Sequence, residues 1–556
     1  MATPPPDRPG PSFDRSQLEY LASGRISDLF GADFAAQDGY VRQTRMPRPP
    51  MLLADRVTGI DAVPTSMGTG TIWTETDVAL DSWYLDATGR MPAGIMIESG
   101  QADLLLISWL GADLLNHGER VYRLLGCELT YHGSLPTPGE TLSYEIHIDS
   151  HGEHDGVRIF FFHYDCYVDG ELRLSVREGQ AGFFTDAELA ATRGVLWDPA
   201  EERPPAAAAA PPAIITTRTS FDRTQVRALA EGRPYDCFGE GWEATRAHVR
   251  SPQLGQGRML FLDEVVSFDP AGGPWGRGYL RAQAPVSPDD WFFDGHFHND
   301  PCMPGTLMFE GCLQAMAFHI AAMGFTAERD GWRFEPLPGK AYPMRCRGQV
   351  TPESRNLVYE VFVTEVCAGP EPTLIADVLC TVDGVKAFHA RGLGLRLVPD
   401  WPLSHWKQLS AHAEQTTGAL VPLRELGGLR GHVEPAPVAA ADGFSFDWPS
   451  LLACAWGSPS EAFGAMYAAF DSHRKVARLP GPPYHFMSRI SALHGQPGGM
   501  QTGSWVEAEY DTPDDVWYRE QNASTSMPLA VLMEVALQPC GWLASYVGSA
   551  LTTETD

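Results

Sequence analysis

The chain has 556 residues, of which 44% are apolar and 20% charged, so it is too long for one core and too apolar for disorder and should divide into several folded domains. Its 41 basic against 70 acidic residues leave a net charge of -29, which repels nucleic-acid phosphates and anionic lipid surfaces, so neither nucleic acid nor membrane is an expected partner. Ten scattered cysteines without a CxxC pair, and an N-terminus MATPPPDRPG with neither a basic nor an apolar region, predict a reduced, cytoplasmic protein.

The first clear element is FDRSQLEYLASGRISDLFG at Phe13, and it recurs as FDRTQVRALAEGRPYDCFG at Phe221 and FDWPSLLACAWGSPSEAFG at Phe446. The same register continues into MLLADRVTGI at Met51, MLFLDEVVSF at Met259 and YHFMSRISAL at Tyr484, which identifies a threefold internal repeat. Each copy then reaches an apolar helix opening with Met-Pro, at Met91, Met303 and Met527, since proline loses no amide partner in the first turn. Glu98, Glu310 and Glu534 fall at the same place, six residues after the proline. The helix of copy one is predicted to run unbroken through MPAGIMIESGQADLLLISWLG, and its stretch LLLISWLGADLL from Leu104, cut by Asp113, is too short to span a bilayer.

Alternating stretches follow the first two helices, ETLSYEIHID and VRIFFFHYDCYV in copy one and NLVYEVFVTEV and LIADVLCTV in copy two, and read as antiparallel strands with one buried face. One long helix among such strands makes an α+β unit, a sheet wrapped around a buried helix. The expected organisation is a first unit at 1–197, a Pro/Ala linker at 198–213, a second unit at 214–398, a connector at 399–443 and a partial third unit at 444–556. Copy three lacks the strands that would cover its helix, so it is expected to be truncated, and its apolar face must find another partner or remain exposed.

Copy two alone carries WFFDGHFHNDPCMPGTLMFEGCLQ, with His296 ahead of the Met-Pro helix. Copy one has WYLDATGRMP there and copy three WYREQNASTSMP, both without histidine. The segment GHFHNDPCMPGTLMFEGCLQ resembles the HFxxDPxMPGxLxxEAxxQ signature of hotdog-fold 3-hydroxyacyl-acyl-carrier-protein dehydratases, especially the 3-hydroxydecanoyl type. The serial repeats are similar to the tandem dehydratase region of polyunsaturated fatty acid synthases. The resemblance implies a fused double hotdog plus a truncated third, and dehydration of 3-hydroxyacyl thioesters to trans-2-enoyl thioesters, with isomerisation of the new double bond left open. A non-catalytic carrier-binding module and a hotdog thioesterase are the alternatives.

In that family the histidine of one unit works with the acidic helix residue of the other, which pairs His296 with Glu98 of copy one. Glu310 is the alternative acid, Asp103 a minor candidate, and the helix start at Gly305 the amide site for the thioester oxygen. Histidine suits proton removal because its ordinary pKa lies near working pH, and a carboxyl in an apolar helix suits proton donation because desolvation raises its pKa. The resemblance implies no cofactor and no metal, the substrate being carried on the phosphopantetheine of an acyl carrier protein. Expected partners are that carrier and other domains of a fatty acid or polyketide-type synthase, with a pseudo-dimer inside the chain and a homodimer as a further option. Arg345, Arg347, Arg391 and Arg396 are a candidate basic patch for the carrier.

Overall fold

The computed structural model describes residues 8–154, 156–202, 209–400, 437–471, 477–513, 516–521 and 526–551. Two compact units result, one comprising Met1–Phe238, Gln253–Phe325 and Arg333–Val398, the other Gly239–Pro252, Thr326–Trp332 and Pro399–Asp556. Most of the expected connector at 399–443, and 203–208 of the expected linker, lie outside the described residues.

The recurring Phe-Asp is a helix entry. Asp14 and Asp222 each cap a short helix through a reciprocal box with Gln17 and Gln225, satisfying amides that the first turn leaves free. The phenylalanines before them are fixed to the sheet by paired backbone bonds, Phe13 to Val57 and Phe221 to Val265.

In the first unit thirteen strands form one antiparallel sheet. Copy one contributes β1 (Arg56–Asp61), β2 (Gly70–Asp77), β3 (Val121–Tyr131), β4 (Thr141–His154), β5 (Val157–Val168) and β6 (Glu171–Phe184). Copy two contributes β7 (Glu264–Asp269), β8 (Tyr279–Pro285), β9 (Trp332–Pro336), β10 (Ala341–Cys346), β11 (Asn356–Cys367), β12 (Thr373–Val382) and β13 (Val385–Pro399). The order β1-β2-β4-β5-β6-β3-β10-β13-β12-β11-β8-β7 is a palindrome of the two copies, with β9 on β13 as an addition. The copies meet edge to edge where β3 pairs with β10, from Ala341 opposite Thr130 to Arg345 opposite Gly126. A side chain at 126 would strike the Met344 carbonyl oxygen at 2.4 Å, so glycine is what lets the two backbones close there.

Against this sheet lie α1 (Ala93–Glu98) and α2 (Asp103–Trp109) of copy one and α3 (Gly305–Ala322) of copy two. Helix α3 is buried along all but its first residue, as a helix apolar all round must be. The single unbroken helix expected in copy one is instead two, divided at 99–102. The cause is a pair of tyrosines that take the carbonyls the helix would use: Tyr144 donates to Met96 O at 2.6 Å and Tyr164 to Ile97 O at 3.3 Å. The chain tightens in response, Gly100 N bonding Ile97 O and Gln101 N bonding Glu98 O. In copy two Tyr359 leaves the helix its carbonyls, its hydroxyl having no protein partner.

The second unit has its own core, with Phe446, Trp448, Leu451, Trp542 and Tyr546 among its buried residues. It contains a hairpin, Arg489–His494 with Trp505–Glu509, and a helix, α4 (Leu529–Tyr546). Leu529, Leu532, Met533 and Leu537 of α4 are exposed. By length and composition alone Leu529–Leu551 could cross a membrane. It repeats the Met-Pro entry and the glutamate of α1 and α3, which are core helices under a sheet, and that shared pattern accounts for its apolar composition.

The starts of α1 and α3 touch: a side chain at Gly94 would lie 2.5 Å from the Thr306 carbonyl oxygen, whereas one at Gly305 would meet only Cys346 Sγ at 3.7 Å. Gly94→Ala should therefore cost about 1–3 kcal/mol through forced separation of the helices. Gly305→Ala should stay within about 1 kcal/mol of the parent. Denaturant midpoints of the two variants, read by tryptophan fluorescence, check the contrast.

Candidate active site

The histidine loop closes on itself before α3 begins. Cys302 N donates to His296 O at 2.7 Å, and the His296 imidazole Nδ1 donates to Cys302 O at 2.8 Å. A carbonyl can only accept, so the proton sits on Nδ1 and Nε2 presents a lone pair. That nitrogen faces Glu98 Oε1 of copy one at 3.6 Å. The other carboxyl oxygen, Oε2, accepts from the Thr306 hydroxyl at 2.7 Å. Both side chains are nearly closed off, at 11% and 4% exposure.

Burial sets the protonation of the pair. It pushes the Glu98 carboxyl up to about 7, with the Thr306 hydroxyl opposing and nearby Asp103 adding to the rise. It pulls His296 down to about 4, against the opposing hydrogen bond to Cys302. Between those values the imidazole is neutral and the carboxyl keeps its proton, so a base and an acid coexist across 3.6 Å.

The two groups line a cavity of about 60 Å³ with Gln101, Tyr122, Arg123, Gly305 and Thr306. It adjoins a narrow apolar recess whose walls include Ile97, Phe162, Tyr164, Phe309, Met344 and Phe388. The shared lining, Gln101, Leu124, Gly305, Thr306 and Cys346, lies along the seam. Gly305 and Thr306 open α3, where the first amides have no partner within the helix and the dipole is positive.

Glu310 occupies the mirror position and has a different neighbour. Its Oε2 accepts from Gly94 N at 2.9 Å, and burial raises it to about 7 as well, but it faces that amide in place of a histidine and does not line the cavity. Asp103 is also outside the cavity lining; it is buried and accepts from Tyr122 OH at 2.6 Å, which leaves that tyrosine rather than the aspartate facing the pocket. Tyr122, Arg123, Thr306 and Gln101 escaped the sequence reading because none belongs to a repeated or charged pattern. Only Thr306 carried a signal, standing in the first turn after Met-Pro-Gly.

The candidate arginine patch is not free. Arg347 donates to the Leu125 and Cys346 carbonyls, Arg391 pairs with Glu202, and Arg396 pairs with Glu335 and Glu371. These contacts tie the three guanidiniums to the strands and their flanks, while Arg345 and Arg391 are exposed. Among the described residues no cluster of three or more His, Cys, Asp or Glu could hold a metal.

The chain is 28% identical to a polyunsaturated fatty acid synthase subunit of Thraustochytrium sp., over 98% of this chain and 43% of that relative. It thus spans under half the length of that protein. Solved structures similar to this chain at a low level include the dehydratase domain of PpsC from Mycobacterium tuberculosis, at 13% identity, TM-score 0.31, and 61% and 100% coverage of the two chains. Another is a provisionally assigned oleoyl thioesterase from Lactobacillus plantarum, at 10% identity, TM-score 0.32, and 59% and 97% coverage. Residues 46–177 and 254–391, which hold Glu98 and His296 respectively, each match the FabA-like domain. They are two FabA-like hotdog domains carried in tandem on one chain.

Proposed function

We propose that the chain dehydrates 3-hydroxyacyl thioesters, presented on the phosphopantetheine of an acyl carrier protein, to trans-2-enoyl thioesters in fatty acid or polyunsaturated fatty acid synthesis. The observation that carries this reading is the imidazole of His296 facing the buried carboxyl of Glu98 at 3.6 Å, in a cavity that continues into an apolar recess.

In this reading Nε2 of His296 removes a proton from C2 of the acyl group. The C2–H electron pair becomes the C2–C3 double bond, the C3–O bond breaks, and Glu98 gives its proton to the departing hydroxide to make water. The thioester oxygen gains charge meanwhile and is met by the first amides of α3, at Gly305 and Thr306. His296 ends protonated and Glu98 ionised. A proton passing from one to the other restores the starting state. The relative, a polyunsaturated fatty acid synthase subunit by name, supports the biosynthetic setting and the company of other synthase domains.

With a 3-hydroxyacyl thioester, enoyl absorbance should appear without free thiol; release of thiol would instead mark a thioesterase. His296→Ala should retain less than about a hundredth of the parent kcat, since general-base catalysis contributes about 10²–10⁴-fold. Glu98→Gln should be far more damaging than Glu310→Gln when the two kcat values are measured together; the reverse order would put acid and base in one repeat.

The pH dependence follows from the two shifts. The base works only deprotonated, so kcat/KM should rise through about pH 4, and the acid works only protonated, so it should fall through about pH 7. The limbs belong to the coupled pair. A profile still rising from pH 7 to 9 would contradict the assignment of Glu98 as the acid.

A further inference from the structure

Arg123, on β3 of copy one, spends every donor within reach of the histidine loop. Its Nη1 and Nη2 hold the two carboxylate oxygens of Asp300, the latter at 2.7 Å. Its Nε and Nη2 donate to Gln349 Oε1 at 2.9 and 2.7 Å, and Nη1 also donates to Tyr122 O at 2.7 Å. Asp300 stands at the tip of the loop, where Phe297 N donates to its carbonyl at 3.1 Å, while the neck is tied at His296 and Cys302. Gln349 lies on the cavity wall just before Val350, whose carbonyl accepts from Met303 N. The adjacent residue Tyr122 reaches the other way, to Asp103 at the start of α2, five residues beyond Glu98. Two neighbouring residues of one strand thus reach the acid-bearing segment of copy one and the base-bearing loop of copy two.

We propose that Arg123 is a positioning residue for the reaction: by gripping Asp300 and Gln349 of the second repeat it fixes the histidine loop at the distance from Glu98 that the proton transfers need. The role rests on the dehydratase reading for its kinetic consequence and on the contacts alone for its structural one. A bidentate guanidinium–carboxylate pair suits the task because its two parallel bonds fix direction as well as distance, which a lysine ammonium does not. The pair is only partly exposed, 13% at Arg123 and 23% at Asp300, so breaking it leaves a charge poorly solvated beside the imidazole. The ionisable groups facing His296 are Glu98 from α1, Arg123 from β3, and Asp300 and Cys302 from its own loop. Arg123 disfavours the imidazolium and Asp300 favours it, so the two charges of the pair act on the base in opposite directions.

The two halves of the pair therefore have opposite electrostatic signatures and one common positional effect. In the full chain, Arg123→Met and Asp300→Asn should each lower kcat about 100-fold, as a misplacement of about 1 Å does, with KM changed much less. By NMR of isotopically labelled imidazoles, with the His296 signal assigned from its loss in His296→Ala, the titration of that ring should move to higher pH in Arg123→Met and to lower pH in Asp300→Asn. Arg123→Lys keeps the charge without the fork, so it should lose kcat while leaving the titration near the parent's. It also carries the test if Arg123→Met does not fold. General loosening of the pocket would move the titration the same way in both variants, and that result, or parent-like kcat and titration in Arg123→Met, overturns the proposal. The imidazole titration needs no turnover, so an inactive parent would defeat the dehydratase reading and leave the clamp to be judged by NMR.

Discussion

The antiparallel pairing of β3 with β10 is the constraint on which the site depends. It joins two sheets that would otherwise each end in an open edge, and it does so with matching strands of the two repeats, so each helix faces its counterpart across the seam. A slip of one residue would turn the seam's side chains to the opposite face, and a slip of two would shift the strands by nearly 7 Å. Either would separate His296 from Glu98. Gly126 at the seam, and Gly94 where α1 and α3 touch, admit the close backbone approach that holds this register.

Once the helices face each other, burial does the rest. Glu98 and Glu310 occupy equivalent positions, and desolvation raises both to about 7. Their chemistry differs through what stands opposite: His296 and the Thr306 hydroxyl for one, the Gly94 amide for the other. Copy one lacks the loop that would complete the second site but has the helix that serves the first. The asymmetry gives one histidine-bearing site to a pair of domains and frees the mirror position for packing.

Much of this was legible in the chain because it was written in repetition. The recurrence of Phe-Asp, Met-Pro and the following glutamate marked equivalent elements before any was seen, and the lone histidine loop marked which half was different. What could not be read was set by tertiary contacts. The break after Glu98 comes from tyrosine hydroxyls on β4 and β5, 48 and 67 residues away, competing for helix carbonyls. Arg123 and Tyr122 sit in a strand whose pattern speaks only of burial. Their importance follows from the seam that brings Asp300 and Gln349 to them. Nor could the pattern show that Arg391 and Arg396 pair with Glu202, Glu335 and Glu371, which lie 189, 61 and 25 residues away.

The central claim is that His296 of one repeat shares a proton-bearing contact with Glu98 of the other. The most direct measurement is the ¹⁵N chemical shift of His296 Nε2 followed from pH 5 to pH 9 in the parent, Glu98→Gln and Glu310→Gln chains. The account requires an inflection near pH 7, reporting ionisation of the facing carboxyl, that vanishes in Glu98→Gln and survives in Glu310→Gln. An inflection that survives loss of Glu98, or disappears with Glu310, would contradict it.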